Sequence, residues 1–232
     1  MIMKIFSLEN DIIFSEECIN VLQIQDKKLF ANVINSLNDN INGIQNTKER
    51  IITLDNDTEI KMEKEALMVI DLFNIDFNQK KIQSALYNKI EKIYKQEFER
   101  MSEFQTLFQK LQLNVLDVFN EFPFEFNYKD SIGIQEYLKL LGLKISNNKG
   151  EIIDKIFSLI DAVEYLSVAK LLIFVNLKLY LSDDELNEIY KYAMYKKVNI
   201  LLIETGEEKE PIKNEKILFV DSDYDEIVLY NK

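Results

Sequence analysis

From residue 78 to residue 121, apolar residues recur mostly three and four positions apart: Ile82, Leu86, Ile90, Ile93, Phe98, Met101, Phe104, Phe108, Leu111, Val115 and Phe119. That spacing keeps a single stripe along one side of a helix. No glycine lies between Gly43 and Gly133, and the first proline is Pro123, so the pattern predicts one uninterrupted amphipathic helix over 78–121. At 1.5 Å per residue it would be roughly 65 Å long, wider than a small domain, and is expected to project from its own globule and contact something else.

Shorter elements flank this segment. Residues 4–8 and 19–25 read as strands, followed by a helix over 27–37 with Leu29, Phe30, Val33, Ile34 and Leu37 on one face. Residues 50–55 and 67–71 are strand candidates, and the second also fits a helix start. A short helix at 132–141 ends at Gly142, in the position of a C′ glycine, and 152–166 is a further amphipathic helix. The clearest signal follows: two apolar runs, 171–175 (LLIFV) and 198–203 (VNILLI), bracket a helix opening at Ser182. Ser182 and Glu185 form a capping box. Runs apolar on both faces and joined by a helix predict a right-handed β-α-β unit in a parallel sheet covered on both sides. A last strand, 217–220, leads into an acidic tail. The expected fold class is α/β: a mainly parallel sheet head with flanking helices, plus an inserted long-helix extension. The head is expected to comprise 1–73 and 141–232, and the helical leg 74–140. No internal repeat, linker or low-complexity segment interrupts this order.

Composition narrows the chemistry. Of 232 residues, 47 % are apolar, enough for a real core, yet no apolar run approaches the ~20 residues that cross a bilayer. The opening MIMKIFSLENDIIF is charged and lacks the apolar segment of a signal peptide. The single Cys18 can form no internal disulfide, which fits a reducing cytoplasm, and it reads as a small buried apolar residue. The chain has no histidine, which removes Ser-His-Asp and Cys-His nucleophiles, histidine bases and most zinc sites. Its five glycines build neither G-x-x-x-x-G-K-[ST] nor G-x-G-x-x-G, so P-loop hydrolysis is not expected. Carboxylate chemistry survives: oxygen-ligated Ca²⁺ or Mg²⁺, or paired-acid hydrolysis.

The net charge of −12 by itself argues against nucleic-acid binding, but the charge is uneven. Acid gathers late in the chain, in Glu204, Glu207, Glu208 and Glu210, then Asp221, Asp223, Asp225 and Glu226. The first half of the long helix carries Lys80, Lys81, Lys89, Lys92 and Lys95 against only Glu91. Such lysines either solvate a helix face or, where geometry keeps the acid away, hold phosphates.

Residues 170–190, KLLIFVNLKLYLSDDELNEIY, closely resemble the C-terminal half of the Csn-two family of type II-A CRISPR-associated adaptation proteins. Residues 137–145, YLKLLGLKI, resemble the segment that follows an acid-rich turn in that family, and the order of 19–37 and then 51–75 also fits its pattern. The likeness covers nearly the whole chain, through structural rather than catalytic motifs. It implies a cytoplasmic, non-catalytic homotetrameric ring, each subunit an α/β head with a helical leg. The ring would enclose double-stranded DNA with a preference for free ends and need Ca²⁺ for its assembled shape. It would act in spacer acquisition beside the CRISPR integrase proteins and the effector nuclease, with no membrane partner.

A ring also answers the charge problem, because four weakly basic strips can converge on one channel while acid faces outward. Lysine contacts would be largely blind to sequence. The channel candidates are Lys80, Lys81, Lys89, Lys92 and Lys95, with Lys27, Lys28, Lys139 and Lys144 in reserve. The resemblance implies calcium at the acid-rich turn, where Glu121, Glu125, Asn127 and Asp130 could supply oxygens. This turn departs from the family's more acidic version: Asn127 is neutral, Lys129 sits inside it and Pro123 stiffens it. The same acids could instead serve the next helix, with Asp130 as its N-cap.

The stripe Phe98, Phe104, Phe108 and Phe119 reads as core or subunit interface rather than a base-stacking platform. Glu207-Glu208-Lys209 matches the E-x-K fragment of a nuclease motif but lacks a partner aspartate, since Asp183 and Asp184 lie at a helix start upstream. Two other function classes remain: a divalent-metal nuclease or phosphohydrolase using carboxylates alone, and a scaffold whose long helix packs against another protein without nucleic acid.

Overall fold

The computed structural model describes residues 1–44, 47–146 and 150–231. The chain folds as two compact units, one formed by Met1–Asp76 with Asn147–Lys232 and the other by Phe77–Ser146.

The larger unit contains two sheets. Five strands run parallel in the order β9-β3-β8-β7-β6: β3 (Ile19–Ile24), β6 (Ala66–Val69), β7 (Leu171–Val175), β8 (Asn199–Thr205) and β9 (Glu215–Val220). An antiparallel strand, β10 (Glu226–Asn231), closes the β9 edge. The acidic tail expected from the sequence therefore contains a hairpin partner. Its turn is built on Asp221, whose carboxylate accepts the Asp223 and Asp225 N–H groups at 2.8 and 2.9 Å.

The second sheet is antiparallel, in the order β2-β1-β4-β5: β1 (Ile2–Ile5), β2 (Ile12–Ile13), β4 (Ile51–Asp55) and β5 (Thr58–Ile60). Its short strands β2 and β5 carry too few residues for a periodic signal, and sequence patterning did not separate this sheet from the other.

Helix α1 (Lys27–Ile41) opens on Asp26, whose carboxylate accepts the Lys28 and Leu29 N–H groups at 3.0 and 2.7 Å. Its buried Leu29, Val33 and Leu37 join Met3, Ile5 and Ile12 of the small sheet and Leu22, Ile24, Leu201, Ile203, Leu171 and Ile173 of the large one in a single core. Strand side chains alternate between faces, so Gln23, Leu202, Glu204, Phe174 and Glu215 belong to the opposite face. That face is covered by α6 (Ile152–Leu166), through Ile156, Leu159, Ile160 and Val163, and by α7 (Asp183–Tyr195), through Leu186, Ile189 and Tyr190. Ser182 caps α7 as expected: Glu185 reaches back to its N–H at 2.8 Å. A four-residue helix, α2 (Met62–Glu65), leads directly into β6. Cys18 is buried and free.

The smaller unit corrects the expectation of a single long helix. The chain leaves helical geometry at Glu97 (φ −111°, ψ 91°), giving α3 (Lys80–Gln96) and α4 (Phe98–Phe119). In a straight helix Tyr94 and Phe104 would be roughly 15 Å apart along the axis, yet their rings meet at 6.4 Å. The bend lets Tyr94, Met101 and Phe104 close over a small core of Tyr87, Ile134 and Leu138. Packing against α5 (Ile134–Leu140) therefore overrides a local sequence with no helix breaker. Helix α5 starts at Ile134, later than expected. Glu136, not Asp130, serves its start by accepting the Gly133 N–H at 3.1 Å. Its end is a Schellman motif: Gly142 (φ +62°) donates to the Lys139 carbonyl and Leu143 to that of Leu138.

Candidate nucleic-acid interface

Helix α3 has two faces. Its buried residues are Ile82 and Tyr87, and Leu86, Ile90 and Tyr94 pack toward the small core. At 3.6 residues per turn, Lys80, Lys81, Lys89, Lys92 and Lys95 share the opposite half of the helix, an arc of roughly 180°. The α3 segment thus carries five lysines against one acid on a chain of net charge −12. Lys80, Lys92 and Lys95 are exposed, and Lys81 and Lys89 are half-buried. Among the described residues Lys80 and Lys92 make no ion pair, whereas Lys95 pairs with Glu91 at 2.8 Å. Hydrogen bonds from Lys95 and then Gln135 hold the Glu91 carboxyl below its usual range. The single acid of the strip is thereby paired with a lysine beside it and hydrogen-bonded by an amide from α5. Lys139 lies exposed on α5 and Lys144 just past its end, in the same unit as the strip.

Lys27 and Lys28 are exposed at the start of α1, in the larger unit. There β3 runs into a helix at the point where an open parallel sheet reverses strand order, the usual location of a ligand crevice. Asp26 already occupies the α1 N-terminal donors, so a phosphate would meet a carboxylate in place of free N–H groups.

The acid-rich turn is extended and wholly exposed. It runs back along α4, tied by Gln112 Nε2 donating to the Lys129 carbonyl at 2.7 Å and Gln105 Nε2 to that of Ile132 at 3.2 Å. Phe126 stacks on Phe119 at 4.6 Å. Lys129 points away from the turn's acids to Glu136, at 2.5 Å. Glu121, Glu125, Asn127 and Asp130 are thus strung along a strap, and among the described residues no three carboxylates gather where one ion could take them. As placed, they do not form a calcium cage, which needs six to eight converging oxygens.

Of the aromatic stripe, Phe104 packs on Tyr94 and Tyr137, and Phe119 on Phe126. Phe98 is 84 % exposed, and α4 as a whole buries no residue. Leu107, Leu111, Leu113, Val115 and Val118 are all exposed, an unusually apolar surface for one helix. Glu207, Glu208 and Lys209 lie exposed after β8, and Gln23 Nε2 donates to the Glu207 carbonyl.

A polar cluster that sequence reasoning missed lies between the large sheet and α7. Fully buried Glu215 accepts from Lys178 Nζ at 2.8 and 2.9 Å, from Tyr190 Oη at 2.6 Å and from the Ile212 N–H at 3.0 Å. Burial and then the Glu215 charge push the Tyr190 hydroxyl well above its usual range. Beside it Glu204, also buried, accepts the Lys178 N–H at 3.1 Å, and burial lifts its carboxyl to about 7. The only sequence signal was an acid inside an otherwise apolar strand pattern. With Lys178 and Glu215 paired and their remaining polar atoms satisfied, the cluster reads as structural.

The family model described as CRISPR-associated protein (Cas_Csn2) matches residues 43–224, a span that takes in both units. The chain belongs to the Csn2 family. It is therefore a type II-A CRISPR-associated protein. Among its relatives, the CRISPR-associated protein Csn2 of Streptococcus agalactiae is 24 % identical over 190 residues, covering 79 % of this chain and 80 % of that one. The Csn2 of Enterococcus faecalis is 29 % identical over 144 residues, covering 60 % of this chain and 64 % of its own. The crystal structure of Stu0660 of Streptococcus thermophilus shares the fold with a TM-score of 0.62 at 13 % identity, over 100 % of this chain and 77 % of that one. No helix among the described residues of this Csn2-family chain is long and apolar enough to cross a membrane.

Proposed function

We propose that this protein is a non-catalytic, ring-forming double-stranded DNA-binding protein that acts in CRISPR spacer acquisition. The observation that carries the reading is the α3 strip: five lysines on the half of the helix opposite its buried face, with Glu91 already paired. Each phosphate neutralised by a lysine releases counterions, so one strip binds weakly and four pooled strips bind strongly. Self-association is supported by the bare apolar surface of α4, which a second copy would cover. A homotetramer enclosing the duplex, with free ends preferred because a closed ring is threaded from an end, is proposed through family membership, and these two features support it. The integrase proteins and the effector nuclease are the partners proposed through family membership.

Calcium is proposed as an assembly ion at the acid-rich turn. Binding there requires the strap to rearrange so that Glu121, Glu125, Asn127 and Asp130 converge.

Sedimentation of the purified chain and a gel shift comparing linear with closed circular DNA test the reading. Mass near four protomers and end-dependent retardation without cleavage are expected. Cleavage with Mg²⁺ or Mn²⁺ would replace the reading with a carboxylate nuclease. Tetramers that ignore DNA at low salt would replace it with a helical scaffold.

A further inference from the structure

Strand β10 is the last strand of the large sheet on the β9 side. Which of its backbone groups are free follows from the hydrogen bonds around it. The Asn214 and Val220 carbonyls accept the Ile19 and Gln25 N–H groups at 2.8 and 2.9 Å, so even-numbered positions along β9 turn toward β3. Odd-numbered positions turn toward β10, and just past β9 the Asp221 N–H donates to the Asp225 carbonyl at 3.1 Å. Within the ladder Ile227, Leu229 and Asn231 stand opposite Phe219, Ile217 and Glu215 and take those bonds. Glu226, Val228 and Tyr230 therefore aim their N–H and C=O groups away from the sheet.

Edge strands are commonly defended against pairing by lysine, proline or a bulge. The β10 sequence EIVLYN has no lysine or proline, and its register on β9 runs without a bulge. Ile227, Val228 and Tyr230 are 42 %, 46 % and 46 % exposed. The one charged residue, Glu226, is held to one face of the strand by the Glu9 and Asn10 N–H groups at 2.6 and 2.8 Å.

We propose that β10 pairs with the β10 of a second copy, antiparallel about a two-fold axis, joining two large sheets edge to edge. The register that engages all three free residues puts Val228 opposite itself on the axis and Glu226 opposite the partner's Tyr230. The two glutamates are thereby kept apart. Each instead enters a row with Tyr230 and, one strand further in, Lys216, which lines the same groove as Val228. Two strand spacings are about 10 Å, a gap that the two side chains span together. The strand is thus complementary to itself in backbone, apolar surface and charge. Six residues a side bury too little to hold two chains alone, so for its strength the pairing rests on the self-association proposed above. A closed assembly of four copies built from two-fold contacts needs two different interfaces. Helix α4 offers one and β10 the other.

Sedimentation over a concentration series and hydrogen exchange test the pairing. Association of the native protein should slow exchange at the Val228 and Tyr230 amides at least about tenfold, whereas Ile227 and Leu229 are already protected in the single chain. Val228→Pro removes only an outward N–H, which an edge strand tolerates, so it should keep the native circular dichroism spectrum and halve the mass of the assembly. In a Cys18→Ala background, Val228→Cys should form a disulfide between copies under mild oxidation, since paired Cα atoms on the axis lie about 5.5 Å apart. Tyr230→Cys should not, because Glu226 and not Tyr230 stands opposite it. Unchanged mass in Val228→Pro, or equal cross-linking at both positions, overturns the edge pairing and leaves the α4 contact standing. Native protein that stays single at every concentration overturns both.

Discussion

Glu204 is a carboxyl group whose environment works against its charge. It lies in β8 among apolar neighbours, and burial raises it from an ordinary 4.5 to about 7 despite the N–H donated by Lys178. The folded state therefore holds the proton more tightly than the unfolded chain does. Its contribution to stability is complete below about pH 4.5 and is lost as pH rises through about 7. The full swing is on the order of 3 kcal/mol. Urea midpoints between pH 5 and pH 8.5 should fall in the native protein, and Glu204→Gln should flatten that dependence and stabilise at the alkaline end. An unchanged slope in the variant would show that Glu204 ionises freely in the fold. Glu215, buried in β9, instead meets Lys178 and Tyr190 directly.

At the scale of elements, local pattern and tertiary packing agree wherever the signal is long and one-sided. Helix α6 and strand β7 lie where periodicity placed them, at Ile152–Leu166 and Leu171–Val175. Ser182 and Gly142 act as cap and C′ glycine because both roles depend on the residue's own chemistry. Agreement fails at Glu97. No breaker stands there, and the stripe continues through it, but the apolar residues on either side bury more by folding together than by staying in line. A double-mutant cycle tests this. Tyr94→Ala and Phe104→Ala should couple by about 0.5–1.5 kcal/mol, the worth of an edge-to-face pair. Additive effects would mean that the helix runs straight through Glu97 in solution.

For the whole molecule, the central quantity in the proposed DNA-binding function is the number of phosphates neutralised. Reversing charge at two positions of the strip, Lys89→Glu with Lys92→Glu, removes cations from every copy in an assembly. Affinity for linear duplex should fall at least tenfold near 0.1 M salt, and the salt dependence should become visibly shallower. Unchanged affinity and slope would move the contact to another surface. Calcium belongs to the same scale, since the acid-rich strap has no cage within itself. Titration of Ca²⁺ into chelator-treated protein should give saturable heat and a change in oligomer size, and Glu125→Gln with Asp130→Asn should abolish both. Neither heat nor a size change would remove calcium from the assembly.

The chain's order of apolar and polar residues determined its fold class, the β-α-β unit and the lysine-rich face of α3, because these follow from spacing along a single element. The small sheet, the bend at Glu97 and the buried Lys178–Glu215–Tyr190 cluster were decided only by tertiary structure. Each depends on which distant segments meet. Residues such as Lys178 and Glu215 carry no mark in sequence of the partner that burial will give them.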